Sequence, residues 1–171
     1  HINSLKTDIL SDIYVLEEIK RYLDSIPEDD DKKIERLREI IEGIRRETAD
    51  AKVLIFSEYA DTVNHLSKKL KERFDHVDSV TSETGEEIPK KAAFFAPVAN
   101  NYSGPKRIDI MIATDVLSEG YNLQDASIVV NYDLHWNPVR LIQRAGRVDR
   151  IGSEAEIIHI KNFLPVDRVE K

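Results

Sequence analysis

Four of the twelve arginines in this 171-residue chain fall between Arg140 and Arg150, where Asp149 is the only acidic residue. The chain as a whole is acidic, with a formal net charge of −7, so its cations are concentrated in one place. A guanidinium group can hold the oxygens of an anion such as phosphate by paired hydrogen bonds. This segment therefore indicates a binding site for an anionic group.

A helix is predicted to carry these arginines. Asn137 is a good N-cap, and Pro138 suits the first helical position because its φ is fixed and it has no N–H to satisfy. The predicted helix runs from Pro138 to Arg150, and the helical period sorts its side chains onto two faces. One face carries Arg140, Gln143, Arg147 and Arg150, and the opposite face carries Leu141, Ala145 and Val148.

Two explanations of the charged face are open on spacing alone. Like charges three or four residues apart repel by roughly a few tenths of a kcal/mol, so an anion held among them would explain their placement. The alternative is a solvated basic face that pairs with acidic residues elsewhere in the chain. Gly146 favours the anion, because a glycine inside a helix costs about 0.5–1 kcal/mol relative to alanine and suggests close approach by backbone or ligand.

The elements that must position this helix are those of an α/β fold. Short apolar runs rich in β-branched residues are typical of strands buried on both faces of a parallel sheet. Helical patterns lie between them, which predicts a three-layer α/β sandwich with a mostly parallel sheet, preceded by a helical hairpin. We predict a helical extension over residues 1–50 and an α/β domain over residues 51–171. The predicted strands are 53–56, 77–80, 108–113, 128–130 and 157–160.

Three segments resemble motifs of one known family. Residues 143–150 read QRAGRVDR and resemble the last motif of superfamily two helicases. Residues 112–123 resemble the preceding motif, Ala-Thr-Asp followed by Gly-x-Asp or Gly-x-Asn, and residues 133–138 resemble the Asp-x-x-Trp-Asn-Pro segment of Swi/Snf-type ATPases. Because the motifs keep the family's order, the chain is similar to a C-terminal RecA-like helicase lobe, which has a P-loop-NTPase-type fold without the P-loop.

The resemblance implies roles for eight residues. Arg147 and Arg150 would be arginine fingers, which neutralise the charge that develops on the γ-phosphate during phosphoryl transfer. From the residues alone, the polar side chains that follow the strands could equally cap helices, and Gly120 could be only a turn glycine. The remaining implied roles are nucleotide binding by Gly120, Asn122 and Gln143, and contact with or proximity to the nucleic-acid backbone for Ser57, Thr114 and Asp115.

Part of an ATP site is missing from the sequence. It contains neither a Gly-x-x-x-x-Gly-Lys-Ser/Thr phosphate loop nor an Asp-Glu metal motif after a strand. The resemblance implies ATP with Mg²⁺ as the cofactor, with the metal ligands on an N-terminal RecA-like lobe of the same protein. It also implies nucleic acid as the partner, and the Swi/Snf-like segment favours double-stranded DNA. The full-length protein would be an ATP hydrolase of the helicase or translocase type, whereas this chain alone would be inactive.

The composition excludes several kinds of site. The absence of cysteine excludes disulfides and thiolate metal sites and suits a reducing cytoplasm. The five histidines form no His-Glu-x-x-His pair, so no metal site is predicted. No apolar run reaches the roughly 18 residues that a membrane-spanning helix needs, so no membrane association is expected. The chain begins at His1 rather than Met, and we interpret it as a fragment of a longer protein.

Two other functions stay in view. A non-catalytic scaffold within a larger nucleic-acid complex could keep the fold without the chemistry, although the presence of Gly120 and both finger arginines weighs against it. An α/β enzyme for a small anionic substrate would need a nucleophile or an acid–base pair near the arginines, and the sequence shows no convincing one. A phosphate loop upstream in the full-length protein would separate the motor from the scaffold.

Overall fold

The computed structural model describes residues 2–25, 31–118, 120–150, 153 and 157–164. The chain divides into two compact units, His1–Arg36 and Leu37–Lys171. Most of the predicted acidic separator after Pro27 and the predicted beginning of a helix at residues 166–171 lie outside the described residues. Within the described part of the chain, no helix is long and apolar enough to cross a membrane.

The first unit contains helix α1 (Ile2–Asp24) and the beginning of helix α2 (Lys32–Glu47). The start of α2 is capped by Asp31, whose Oδ1 accepts the backbone N–H groups of Lys33 and Ile34, each at 3.0 Å. Both helices were predicted from the helical spacing of apolar residues, and both are present.

The second unit is built on a five-stranded sheet in the order β2-β3-β1-β4-β5, and every neighbouring pair is parallel. All four residues of each of the three central strands are buried, which explains why those strands are continuous apolar runs in the sequence. The predicted α/β fold with a mostly parallel sheet is confirmed. The strands are β1 (Val53–Phe56), β2 (Val77–Val80), β3 (Ile110–Ala113), β4 (Ile128–Asn131) and β5 (His159–Asn162).

Three of the predicted strands have shifted ends, and the fourth strand differs least because it ends at Asn131 rather than at residue 130. The third begins at Ile110 rather than at residue 108, and just before it the side chain of Arg107 pairs with Asp109 and Asp50. The fifth is His159–Asn162 rather than residues 157–160, and its four residues are exposed, as expected of an edge strand.

Three further helices connect the strands: α3 (Ala60–Lys71), α4 (Ile88–Phe95) and α5 (Pro138–Ala145). Helix α3 buries Val63, Leu66 and Leu70 at the helical spacing that predicts it. The second half of α2 also belongs to this unit, since Arg38 Nη2 donates to Lys69 O of α3 at 2.7 Å. The predicted domain boundary at residue 50 stays a prediction.

The buried face of α2 gives a first test of the fold. Ile41 is fully buried, whereas its neighbour Ile40 is only half-buried. Replacing Ile41 with alanine should lower the free energy of unfolding by about 2–5 kcal/mol, because the lost side chain leaves a cavity. The Ile40→Ala substitution is the matched control and should cost less. Urea denaturation followed by circular dichroism measures both, and equal losses would show that α2 is not docked through Ile41.

Candidate functional site

The candidate site lies at the edge of the sheet where the parallel strands end, which we call the carboxyl edge. The registers Phe56↔Ala113, Phe56↔Asn131 and Val80↔Ala113 bring the last residues of four strands level with one another. The ladder continues one residue further, since Ser57 N donates to Ala113 O at 3.0 Å. Ligands of open parallel sheets bind beyond this edge. The polar residues that follow the strands therefore emerge together, as the sequence predicts.

Helix α5 begins as predicted but ends earlier. Asn137 Oδ1 accepts the N–H of Val139 at 3.0 Å, and Pro138 occupies the first turn. The helix ends at Ala145 with Gly146 as its C-cap. The prediction of one helix from Pro138 to Arg150 is therefore wrong, and Arg147 and Arg150 do not share a helix face with Arg140 and Gln143.

The presence of glycine at position 146 also has a different explanation from the predicted approach of a ligand. Its φ is −65°, which any residue can adopt, and a Cβ built there would approach Ile142 O at 3.3 Å. The tight neighbour is thus the carbonyl of the preceding helical turn rather than a ligand. Gly146 N–H donates to the same carbonyl at 2.9 Å, so the residue closes the helix.

Arg144 is a residue that the sequence reading missed. It is 0% exposed and has the largest volume among the fully buried side chains. Its Nε donates to Asp115 Oδ1 at 2.6 Å, and its Nη1 donates to Asn131 Oδ1 at 3.1 Å and to Asp133 O at 3.3 Å. On the helical wheel Arg144 lies between the charged face and the apolar face. Its position beside Leu141 and Val148 was the available signal for burial.

The residues predicted near nucleic acid include two whose side chains are engaged internally. Ser57 is buried and its Oγ donates to a carboxylate oxygen of Asp133, while Asp115 pairs with Arg144. Thr114 is half-buried, and its carbonyl accepts the N–H of Leu117 at 3.3 Å, which opens the short 3-10 turn Asp115–Ser118. The roles assigned to these residues stay predictions.

The residues predicted near the nucleotide lie on the loop after that turn and on α5. Gly120 is exposed and has a φ of +83°, a conformation that side chains rarely adopt, so glycine is required by the backbone there. Asn122 faces the loop around residues 99–100, where its Nδ2 donates to Ala99 O at 3.2 Å. Gln143 is half-buried on α5. The nucleotide roles also stay predictions.

A backbone hydrogen bond joins this loop to the arginine segment, by which we mean residues 143–150. Leu123 N donates to Arg147 O at 3.3 Å. Arg147 is also flanked by two fully buried side chains, Arg144 and Val148. The structure thus brings Gly120, Arg147 and the ends of the central strands to one edge, although Arg150 extends from the segment as an exposed residue.

Arg147 is half-buried. Within the described part of the chain, its Nε is shielded from solvent and has no hydrogen-bond partner, as is also true of Arg38 Nε, Arg45 Nε and Arg144 Nη2. A buried donor without an acceptor costs free energy. Among the described residues, no acceptor therefore holds this nitrogen in place.

At the opposite edge of the sheet, the arginine is engaged in ion pairs, unlike Arg147 within the described residues. Clefts of about 490 Å³ and 460 Å³ share Lys106 and Arg107 in their lining. The arginine there is neutralised, because Arg107 Nε donates to Asp109 Oδ1 at 2.6 Å and Arg107 Nη2 donates to Asp50 Oδ1 at 2.9 Å. These hydrogen bonds raise the pKa of Arg107. The carboxyl edge is therefore the better candidate for an anion site.

The parallel sheet, the level strand ends and the arginine segment define a RecA-like helicase lobe. The family model described as "Helicase conserved C-terminal domain" matches residues 32–152. The chain belongs to this family, as a C-terminal lobe of the superfamily two helicases that is closest to the Swi/Snf-type ATPases. The matched segment includes α2 and four of the five strands, β1 to β4.

Two relatives of known sequence support the same family. An uncharacterized ATP-dependent helicase of Bacillus subtilis, YqhH, is 38% identical over 122 residues, which are 71% of this chain and 20% of that protein. The RNA polymerase-associated protein RapA of Vibrio campbellii is 33% identical over 129 residues, which are 73% of this chain and 12% of that protein. The chain therefore spans a fifth or less of the length of these relatives.

Solved structures agree on the fold. The C-terminal part of the Fun30 ATPase domain superposes with a TM-score of 0.67 at 24% identity, covering 79% of this chain and 41% of that one. The C-terminal domain of the DEAD-box protein Dbp5 superposes with a TM-score of 0.60 at 24% identity, covering 81% and 73% respectively. At these identities the likeness shows the RecA-like architecture alone.

Proposed function

We propose that this chain is the second motor lobe of a nucleic-acid-dependent ATPase that translocates on duplex DNA. ATP binds in the cleft between this lobe and an N-terminal RecA-like lobe, which supplies the phosphate loop and the Mg²⁺ ligands that this sequence lacks. The proposed division is a helical extension over residues 1–50 and the lobe over residues 51–171. The absence of cysteine suits a reducing compartment, and we propose the cytoplasm.

One observation supports the proposal most strongly: Arg147 Nε is a shielded donor without an acceptor in the described part of the chain. It lies at the carboxyl edge, between the buried Arg144 and Val148. A guanidinium in such a place can bind phosphate oxygens without first breaking an internal ion pair. Since the phosphate is held by the other lobe, the arginine completes the site only when the cleft closes, which ties hydrolysis to movement.

The proposed roles follow this geometry. Arg147 and Arg150 are the arginine fingers, and the exposed position of Arg150 leaves it able to reach across the cleft. Gln143 and the backbone of the loop from Gly120 to Asn122 lie against the nucleotide. Thr114 contacts the nucleic-acid backbone. Ser57 and Asp115 lie beside that contact and support it, because their side chains are already hydrogen-bonded to Asp133 and Arg144.

The choice of nucleic acid is tested with the full-length protein. We expect blunt duplex DNA to stimulate ATP turnover by about tenfold or more, because DNA binding closes the cleft. Single-stranded RNA of the same length is expected to stimulate it less. Steady-state phosphate release measures both. Stronger stimulation by RNA than by DNA would overturn the duplex assignment. If the protein hydrolyses no ATP with either DNA or RNA, the non-catalytic scaffold is favoured.

A further inference from the structure

A buried arginine at the carboxyl edge has three partners from different elements. Arg144 leaves α5, and its guanidinium contacts the turn after β3 through Asp115 and the end of β4 through Asn131. It also lies over the ring of Phe56, the last residue of β1, at 5.1 Å from the ring centroid. One side chain thus contacts the ends of all three central strands or the residues that follow them.

These contacts exclude Arg144 from direct binding of phosphate. It is completely buried, and both Nε and Nη1 are engaged by protein acceptors. Only Nη2 is left without a partner among the described residues, and that atom is shielded from solvent as well. A buried pair of this kind costs desolvation, and it commonly contributes a defined geometry rather than net stability.

The Arg144–Asp115 pair lies next to the backbone hydrogen bonds that fix the position of Arg147. Arg147 N donates to Arg144 O at 3.3 Å, and Arg147 O accepts from Leu123 N at 3.3 Å. The stretch that begins at Asp115 and ends at Leu123 is joined to the arginine segment at both of its ends. Asp115 makes the ion pair with Arg144, and Leu123 makes the backbone hydrogen bond with Arg147. Arg147 itself makes the second of these two attachments, through its backbone carbonyl.

We propose that Arg144 is the positioning residue for Arg147: by bonding Asp115, Asn131 and the carbonyl of Asp133, it fixes the end of α5 so that Arg147 stays aimed over the carboxyl edge. This inference rests on the proposed function. An arginine is required because its planar group satisfies acceptors in several directions, which the single ammonium of a lysine does not do. Losing Asp115 has the same consequence, because the guanidinium loses the partner of its Nε.

Kinetics of the full-length protein test the inference. Arg144→Gln is expected to lower kcat for nucleic-acid-stimulated ATP hydrolysis by about 100-fold, because a misplacement of about 1 Å has an effect of that size. The KM for ATP is expected to stay within about threefold, since the pair acts on the transition-state arginine rather than on substrate binding. Arg144→Lys should restore little of the loss.

Double substitution separates positioning from general damage. Asp115→Ala is expected to lower kcat as Arg144→Gln does, and the double variant should be no worse than either one, because both remove the hydrogen bond between Arg144 Nε and Asp115 Oδ1. The matched control is Arg73→Gln, which breaks an exposed arginine–carboxylate pair with Glu42 and should leave kcat unchanged. The proposal would be overturned if the fold-decrease in kcat of the double variant equalled the product of the two single decreases. It would also be overturned if Arg144→Gln had the kcat of the unaltered protein.

A second readout does not depend on ATP hydrolysis. Hydrogen exchange at the Leu123 amide should become faster in Arg144→Gln and stay unchanged in Arg73→Gln, because that amide is bonded to Arg147 O. If Arg147→Ala hydrolyses ATP normally, the proposed function fails while the exchange result still decides the positioning role. Unchanged exchange would overturn that role. If Arg144→Gln does not fold, Asp115→Ala, which removes the acceptor of Arg144 Nε and leaves the arginine in place, carries both measurements.

Discussion

Replacing Arg147 with alanine in the full-length protein is expected to lower nucleic-acid-stimulated ATP turnover by about 10³–10⁵-fold. The reason is that, in the proposed role, the Arg147 guanidinium neutralises charge that develops on the transferred phosphoryl group, and the exposed Arg150 does not replace that contact. Within the described part of the chain the Arg147 Nε has no internal acceptor, so the substitution breaks no hydrogen bond of that atom and folding should be intact.

The controls for this result come from the same chain. Arg73→Ala removes an exposed arginine far along the sequence and should leave turnover unchanged. Arg147→Lys keeps the charge but loses the paired hydrogen bonds, so it should recover only a small part of the rate. Phosphate release under saturating ATP and DNA measures all three variants. Turnover of Arg147→Ala equal to that of the unaltered protein would defeat the arginine-finger assignment.

The second large effect is on stability. Val148 is fully buried and belongs to the core cluster, immediately after Arg147. Val148→Asp would place an unpaired carboxylate in that core and should lower the free energy of unfolding by about 3–5 kcal/mol, a large part of the total for a domain. ATP turnover of the full-length protein should fall as well, because the arginine segment loses its apolar anchor.

A matched valine on the same stretch serves as the control. Val139 is 52% exposed on α5, so Val139→Asp should change the free energy of unfolding by only about 0.5 kcal/mol. Urea denaturation of the chain followed by circular dichroism compares the two. Similar midpoints for both variants would show that Val148 does not hold the segment in the core.

The strands could be predicted from the sequence because burial on both faces leaves a simple record. Val53–Phe56 and Ile128–Asn131 are almost uniformly apolar, since each is surrounded by neighbouring strands and covering helices. The edge strand is different. His159–Asn162 is exposed, so its sequence is not constrained to be apolar and its predicted ends were two residues off.

The end of α5 could not be predicted in the same way. The helical wheel extended one helix to Arg150, because Arg140, Arg147 and Arg150 fall on one face at the helical period. The backbone stops at Ala145, and Gly146 forms the cap without the positive φ that often marks one. The conclusion that arginines gather at one edge survives for a different reason: Arg147 is held there by buried neighbours rather than by a shared helix face.

Arg144 shows a second limit. A buried arginine is rare and depends on partners that lie far apart in sequence, here Asp115 and Asn131. Periodicity within α5 carries no information about those partners. Only the register of the sheet, which brings the ends of the strands level, makes the pairing visible.

In the proposed motor, Arg147 meets the terminal phosphate of a nucleotide held by the other lobe. The most direct measurement is a crystal structure of the full-length protein with ADP, fluoroaluminate and duplex DNA. We predict a guanidinium nitrogen of Arg147 at about 3 Å from a fluorine of the fluoroaluminate, with the Arg144–Asp115 pair intact. A fluoroaluminate contacted by other groups, with Arg147 turned away from it, would contradict the account.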